Sequence, residues 1–363
     1  MAVYKIFPEK DATIYSAYPD MNTGLDQILE IQNQPPQLGE NNQVSRILLQ
    51  FSTSEIEDVV NNTIGSGSGY NTYLRLFIAN TTSLPDNYVL YINPISESWE
   101  SGTGRFLYNP ADENGVTWTQ RNNSNNWPSG NFAPNTTASF LPSNPGGSAW
   151  YESLEDYQSF TINDTKDTNI QVTDIIRDIY TASILNNGLL IRMQPEYEFN
   201  NSQSFSLKYF SKDTHTIYPP CLEFKWDDSI YNTGSLSLLE NDNTVITLGN
   251  NVGQYNKDTV YQFRVNARQT YPPRQFTTVS VYTLNQALPQ SSYYAIQDLD
   301  TGEYVVDFDE NFTKISCDSA GNYFNLYMAG FQPERYYKIL VKSSFSDGST
   351  VVYDNGYTFK INK

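Results

Sequence analysis

Between Tyr73 and Ile78 the chain reads YLRLFI, and its side chains alternate. Leu74, Leu76 and Ile78 fall on one face of an extended segment, and Tyr73, Arg75 and Phe77 on the other. The same two-residue period returns in Phe205, Leu207 and Tyr209, and again in Leu222, Phe224 and Trp226. Short segments with this period bury one face, so the chain is expected to fold as sheets. GLLIRM, Gly188 to Met193, is more continuously apolar, the pattern of a central strand covered on both faces. One segment departs from the rule. In VTDIIRDIYTASI, residues 172–184, Ile175, Ile176, Ile179 and Tyr180 recur at helical spacing, which predicts one short helix with Thr173 as its N-cap. An aromatic content of 14%, with many Asn, Thr, Ser and Gly residues, suits pleated surfaces and tight turns, so the expected fold class is all-β.

A chain of 363 residues is long for one sandwich and comfortable for two domains. Residues 100–160 are mostly loop, punctuated by SGTG, NNSNNWPSG and NPGGS, and loops that long in a compact domain point to a partner-contact surface. Beyond KWDDSIYNTGSLS the character changes to regularly spaced strand candidates: YQFRVNA, TVSVYTL, YYAIQD, EYVVDF, YFNLYMA, YYKILVK and GYTFKI. Leu299-Asp300-Thr301-Gly302 reads as a hairpin turn, and Asp354-Asn355-Gly356 precedes the last strand. The expected division is 1–230 and 231–363, the second part an immunoglobulin-like β-sandwich, with a short joint near residues 228–236. No tandem repeat of fixed period is found, which disfavours solenoids and propellers.

The chemistry of most enzyme classes is missing. A net charge of −18 would repel a phosphate backbone, which argues against nucleic-acid binding. His215 is the one histidine and sits in a polar turn, with no nucleophile motif to accompany it. Zinc sites built from His and Cys fail for lack of ligands. Glu97 and Glu100 flank Trp99, but two acids three apart on a strand face opposite sides and cannot bracket one glycosidic bond. The expectation is a non-enzymatic protein without a cofactor. Oxygen ligands in the loops of the first domain are numerous enough for a structural calcium ion, although Asp298 to Glu303, DLDTGE, has Gly302 and Glu303 where a calcium loop wants an oxygen ligand and a glycine. Cys221 and Cys317 lie in different candidate domains and are expected as free thiols. No run of 18 apolar residues occurs, and MAVYKIFPEKD has no apolar core of a signal peptide, so neither a membrane span nor export is expected. Trp99, Trp118, Trp127 and Trp150 are the candidate contact or glycan-stacking residues. The competing reading has them pin the long loops to the sandwich, and the enrichment of aromatics at cores as well as contacts favours pinning.

Several segments of the first 230 residues, in order, resemble the DNRLRE family of jelly-roll domains. DATIYSAYPDMNTGLDQILEI is similar to its opening strand, Pro/Asn/Gly turn and second strand. SRILLQFSTSEI resembles its Arg-X-Leu-Leu-X-Phe strand, and YLRLFI the next strand. ESWE and GVTW look like its Trp-Glu followed by Val-Thr-Trp, separated here by residues 101–115. IQVTDIIRDI, GLLIRM and SFSLKYFSKDTHTIYPPCLEF resemble the short helix, central strand and closing strands. The resemblance implies an N-terminal jelly-roll β-sandwich whose core includes Ile14, Leu29 and Ile31. Similar domains occur in sugar-associated bacterial proteins and in virion proteins of tailed phages. The latter setting implies a virion location, with other virion proteins in several symmetric copies as partners, and host-surface glycan as the alternative ligand.

Overall fold

The computed structural model describes residues 2–34, 43–65, 69–108, 114–128, 146–198, 200, 202–272 and 285–363. Strands dominate. In the first two thirds they are β1 (Ala2–Ile6), β2 (Lys10–Tyr15), β3 (Ile28–Gln34), β4 (Gln43–Gln50), β5 (Tyr70–Leu76), β6 (Ile78–Thr82), β7 (Asn87–Pro94), β8 (Gln120–Asn122), β9 (Asn125–Asn126), β10 (Asp156–Thr161), β11 (Thr168–Gln171), β12 (Leu189–Met193), β13 (Phe205–Phe210) and β14 (Cys221–Trp226). In the last third they are β15 (Thr244–Leu248), β16 (Gln254–Asn256), β17 (Val260–Gln269), β18 (Ser292–Asp298), β19 (Tyr304–Val306), β20 (Ser316–Asp318), β21 (Gly321–Tyr327), β22 (Tyr336–Ser344), β23 (Thr350–Tyr353) and β24 (Thr358–Asn362). The all-β expectation holds. The candidate TVSVYTL, residues 278–284, lies outside the described residues.

Contacts divide the chain into two compact units. The first comprises Ile6–Ser66 and Asn71–Glu223; the second comprises Met1–Lys5, Gly67–Tyr70 and Phe224–Lys363. The chain passes from the first to the second inside β14, between Glu223 and Phe224, and not in a loop near residues 228–236.

The first unit is built on a sheet of order β10-β7-β12-β4-β3-β13-β6, with β2 paired to β4. At its centre β12 and β4 are buried on both faces, as the continuous apolar run of GLLIRM requires. Ile47, Leu49, Leu189 and Ile191 point one way; Val44, Arg46, Leu48, Leu190 and Arg192 point the other. Ile14, Leu29 and Ile31 are buried. Elsewhere β5 pairs antiparallel with β11, setting Leu74 opposite Ile170.

Helix α2 (Thr173–Tyr180) buries Ile175, Ile176 and Ile179, the residues whose spacing predicted it. Thr173 is not its N-cap. Val172 occupies that position, and the Thr173 hydroxyl accepts a hydrogen bond from the Thr72 amide at 3.0 Å, joining the helix to β5. Nor is the helix alone. Helix α1 (Thr53–Asp58) runs into a π-helical stretch, Val59–Gly65, that buries Val59, Val60 and Ile64, and Pro195–Glu198 forms a further turn of helix. In TSEIEDVVNNTIG the residues Ile56, Val59, Val60 and Ile64 do recur at helical spacing, a second helical signal that the expectation of one helix overlooked.

In the second unit, one sheet has the order β15-β17-β21-β20 and another the order β16-β24-β22-β18-β19, with β23 on β22. Alternate residues of both fill one core: Phe263, Val265, Phe324 and Leu326 from the first, Tyr294, Ile296, Ile339, Val341, Phe359 and Ile361 from the second. This is a β-sandwich. Phe324 stacks between Tyr294 and Phe263, with ring centroids 4.2 and 5.3 Å away. Three residues of β1 take part. Val3 packs against this core, Tyr4 meets Tyr327 edge to face, and Lys5 Nζ donates to the Val305 carbonyl. The DLDTGE segment is the β18–β19 turn, and the Asp298 carboxylate is spoken for. It takes two bonds from Arg335, at 2.7 and 2.6 Å, and accepts the amides of Asp300 and Thr301. Burial alone would raise its pKa; the Arg335 bonds and the two amides outweigh burial and hold it below the ordinary value.

Phe324→Ala removes the central ring of the stack. It is expected to destabilise the protein by about 3–5 kcal/mol in urea denaturation, read by near-ultraviolet circular dichroism, whereas Phe324→Leu is expected to lose about half as much.

Candidate functional site

On the Arg46 side of the central sheet the first unit carries a further layer, made of the described segments between residues 95 and 150. Its core comprises Ala12, Ile14, Val44, Leu48 and Leu190 from the strands, with Ile95, Trp99, Val116, Trp118, Trp127, Ala149 and Trp150 from the loops. The four tryptophans offered by the sequence as a contact or glycan surface are therefore all interior, none more than 3% exposed. They pin the loops. Trp99 donates its indole N–H to the Asn187 carbonyl at 2.8 Å, and Trp127 donates to the Thr117 carbonyl at 3.0 Å. No indole face is left for a sugar.

Two arginines make this layer more than an apolar patch. Arg46, on β4, is fully buried between the rings of Trp118 and Trp150, 5.2 and 5.4 Å from their centroids. Its guanidinium donates Nε and Nη2 to both oxygens of Glu198, at 2.5 and 2.9 Å, and Nη1 to the Gly147 carbonyl at 2.7 Å. Arg192, on β12, lies between Trp150 and Tyr91 and pairs with Glu155 at 2.8 Å. The result is an alternating stack, Trp118, Arg46, Trp150, Arg192, Tyr91, which continues to the exposed ring of Tyr157 6.0 Å further on. Each cation has an aromatic face on both sides and a carboxylate in plane, the arrangement that guanidinium geometry favours.

A second device fixes the outer part of the layer. Asn22, fully buried, donates Nδ2 to the carbonyls of Ser101 and Val116, each at 2.7 Å, and accepts the amides of Gly24 and Gly104 at Oδ1. All four capacities of the amide are used. Thr23 beside it exchanges hydrogen bonds with both backbone groups of Thr13 on β2. The MNTG turn thus ties a strand to a loop nearly eighty residues away. Gly102 and Gly115 meet here at φ +81° and +101°, and a Cβ on Gly115 would lie 2.4 Å from the Gly102 Cα.

What this scaffold presents is the turn Arg105–Tyr108, closed by the Tyr108 amide on the Arg105 carbonyl. Phe106, Leu107 and Tyr108 are three consecutive exposed apolar residues, the last two 57% and 63% exposed, and Tyr18 is exposed beside them. Leu107 has φ +52°, a conformation suited to glycine or asparagine and strained for leucine. The turn is nonetheless held. Phe106 packs on Tyr15 and Tyr18, with centroids at 4.9 and 5.9 Å, its amide donates to Asp26, and the Leu107 amide donates to Met21 Sδ.

Beneath it lie carboxyls in unusual states. Asp11 is 1% exposed; its Oδ2 accepts the Lys212 amide at 2.6 Å and its backbone carbonyl accepts the Ser101 hydroxyl. Burial, opposed by the Lys212 amide and charge and assisted by Asp213 and Asp26, pushes its pKa up to about 7. Burial likewise raises Asp26. Glu30 accepts hydrogen bonds from Tyr15 and Ser206. A carboxyl sealed as Asp11 is cannot reach a substrate, so its shifted pKa bears on stability.

The remaining sequence candidates fall elsewhere. Glu97 is half-buried, Glu100 and His215 are exposed, and none joins the carboxyls around Asp11. Cys221 and Cys317 are both buried and are not joined in a disulfide; burial, helped by Asp318, pushes the Cys317 thiol up to about 11. Among the described residues no group of three or more His, Cys, Asp and Glu is arranged to hold a metal ion, and no helix is long and apolar enough to cross a membrane.

No family model and no curated protein matches the chain. Solved structures that match include a DUF4785 family protein from Legionella pneumophila, at 9% identity and a TM-score of 0.18; the match covers 99% of this chain and 62% of that one. A superposition that weak carries no argument about fold or function.

Arg46→Met leaves the Glu198 carboxylate buried without its partner and is expected to destabilise the protein by about 3–5 kcal/mol, read as a lowered urea midpoint in tryptophan fluorescence. Pairing it with Glu198→Leu is expected to restore a large part of the loss. For Asp11 the folded-state pKa lies above the unfolded value of 3.8, so its contribution is full below about pH 4 and is lost as pH rises through 7. Between about pH 5 and 8 the wild type is expected to lose roughly 2–3 kcal/mol that Asp11→Asn does not lose, measurable as a flatter pH profile of the urea midpoint.

Proposed function

We propose that this protein is a non-enzymatic structural and contact module, with the Arg105–Tyr108 turn as its anchor on a partner. The observation that carries this reading is the turn itself. Three successive exposed apolar side chains on a soluble surface are a fault unless they are used. A leucine held at positive φ, where glycine or asparagine would be at ease, adds strain of about 1–2 kcal/mol that only a use for its side chain explains. The rigid layer behind it supports the same reading, because a preorganised turn loses little entropy on docking.

At the level of architecture we read the first unit as a jelly roll of DNRLRE type and the second as an immunoglobulin-like sandwich. The order of motifs along the first 230 residues supports the former, and the short alternating strands of the last third support the latter. The setting that fits both is the virion of a tailed phage, on head, neck, tail or baseplate, where the module would contact neighbouring virion proteins in several symmetric copies. A second reading, adhesion to host-surface polysaccharide, is favoured by one local feature. Tyr18, Phe106 and Tyr108 stand exposed beside the Asp26 carboxylate, and rings next to a hydrogen-bonding acid suit a sugar.

Leu107→Gly relieves the strain and deletes the side chain. With Phe106→Ser and Tyr108→Ser it is expected to leave the urea midpoint unchanged or slightly higher, while cutting incorporation into particles, counted by mass spectrometry, by at least about tenfold. Incorporation at the wild-type level would sink the contact reading. Saturable binding to a polysaccharide array that the triple variant abolishes would favour adhesion.

A further inference from the structure

An Asn-Gly pair is the place where an asparagine side chain is most open to attack by the next backbone nitrogen, because glycine offers no Cβ to obstruct the approach. The chain contains three: Asn114-Gly115, Asn187-Gly188 and Asn355-Gly356. The first two are locked in packed backbone. The Gly115 amide donates to Asn123 Oδ1 at 2.5 Å, and Gly115 lies against Gly102 in the Asn22 knot. Gly188 sits against the Leu49 carbonyl, where a Cβ would come within 2.2 Å, and Asn187 is buried with its carbonyl bonded to Trp99. The third pair is different. Asn355 and its neighbour occupy the turn between β23 and β24, Asn355 is exposed, and nothing lies within 4 Å of where a Gly356 Cβ would be. Two hydrogen bonds restrain it, one part-buried, Asn355 Nδ2 to the Ile246 carbonyl at 2.7 Å, and one exposed, the Gly356 amide to Asp354 Oδ1 at 3.3 Å. Water replaces such bonds readily.

We propose that Asn355 is a site of spontaneous deamidation in the folded protein, with water as the co-reactant. The Gly356 amide gives its proton to hydroxide, and the nitrogen attacks Asn355 Cγ. The new Cγ–N bond closes a five-membered succinimide, the Cγ–Nδ2 bond breaks, and ammonia leaves after taking a proton from water. Water then adds to one of the two imide carbonyls, giving aspartate or, by opening on the other side, isoaspartate. Nothing is oxidised or reduced. The rate rises with pH, since the attacking species is the deprotonated amide. The product has lost the donor that held the Ile246 carbonyl, so a carboxylate faces a carbonyl and the turn is released from β15. It also sets a second negative charge next to Asp354, whose partner is Lys338 at 2.8 Å. Isoaspartate lengthens the backbone of the turn by one methylene as well.

The test is peptide mapping by mass spectrometry, with an enzymatic assay for isoaspartate, on the full chain held at about pH 9, once folded and once in urea. Asn355 is expected to convert in the folded protein at a rate within roughly threefold of the unfolded one, while Asn114 and Asn187 slow by at least about tenfold on folding. Asn355→Gln, which keeps an amide but disfavours the ring, is expected to remove the signal. Equal protection at all three pairs, or faster conversion at Asn114 or Asn187 than at Asn355, would overturn the proposal. Asn355→Asp carries the product's charge and is expected to speed hydrogen exchange in Thr244–Leu248; unchanged exchange there would refute the release of β15.

Discussion

A guanidinium with no access to water is the constraint around which the first unit is arranged. Arg46 stands on the central strand of the sheet, where alternation would place an apolar residue, and burial of its charge without compensation would cost several kcal/mol. The compensation comes from remote parts of the chain: the Glu198 carboxylate, the Gly147 carbonyl and the faces of two tryptophans. None of these is a neighbour in sequence. A hydrophobic residue at position 46 would tolerate many arrangements of the covering loops, whereas the planar fork accepts few. The charge therefore specifies one arrangement of a layer that has little regular secondary structure of its own. That role for Arg46 is a hypothesis that the Arg46→Met and Glu198→Leu pair addresses.

Asn22 plays the same part at the other end of the layer. Loops of this length are ordinarily mobile because their backbone groups are satisfied by water. Here a single buried amide satisfies two carbonyls and two amides of the covering segments, and Thr23 bolts the same turn to β2. The rigidity of the Arg105–Tyr108 turn follows from that anchoring, as does its ability to hold Leu107 in a strained conformation, since strain persists only where the surroundings over-determine it.

How far the sequence discloses these things depends on their range. Period-two alternation located β5, β13, β14 and most strands of the second unit, and the isoleucine spacing located α2, because both are local signals. The spacing of Ile56, Val59, Val60 and Ile64 marks a helix at Thr53–Gly65 as well, but nothing in it tells that the second half is π-helical. Thr173 was legible as a hydroxyl near a helix start, but its partner, the Thr72 amide, lies on a different element and displaces it from the capping role. The tryptophans drew attention as loop aromatics, and pinning proved the right side of that choice. What escaped was the reason for it. The bonds from Arg46 to Glu198 and from Asn22 to Val116 join residues 152 and 94 positions apart, and Arg46 enters the sequence reading only as the first residue of an Arg-X-Leu-Leu-X-Phe motif, with no sign of its partners. The exposed run Phe106-Leu107-Tyr108 was in plain view, but an apolar triplet in a loop reads equally as buried anchor or as contact until exposure and the φ of Leu107 are known.

The membership of Met1–Lys5 in the second unit bears on how the protein is made. Lys5 bonds to a carbonyl 300 residues further on. At translation rates of about 5–20 residues per second, β14, the strand that pairs with β1, follows it by roughly 11–44 s and the Val305 carbonyl by roughly 15–60 s. Until β14 is made, Ala-Val-Tyr-Lys-Ile is an unpaired β-prone segment beside a nascent chain, the situation in which edge-to-edge aggregation begins. Lys5, the fourth of its five residues, then acts as a gatekeeper during synthesis and as a hydrogen-bond donor once folding is complete. The order of synthesis and the order of assembly differ for this strand, so the second unit closes only after Phe224–Lys363 has been made.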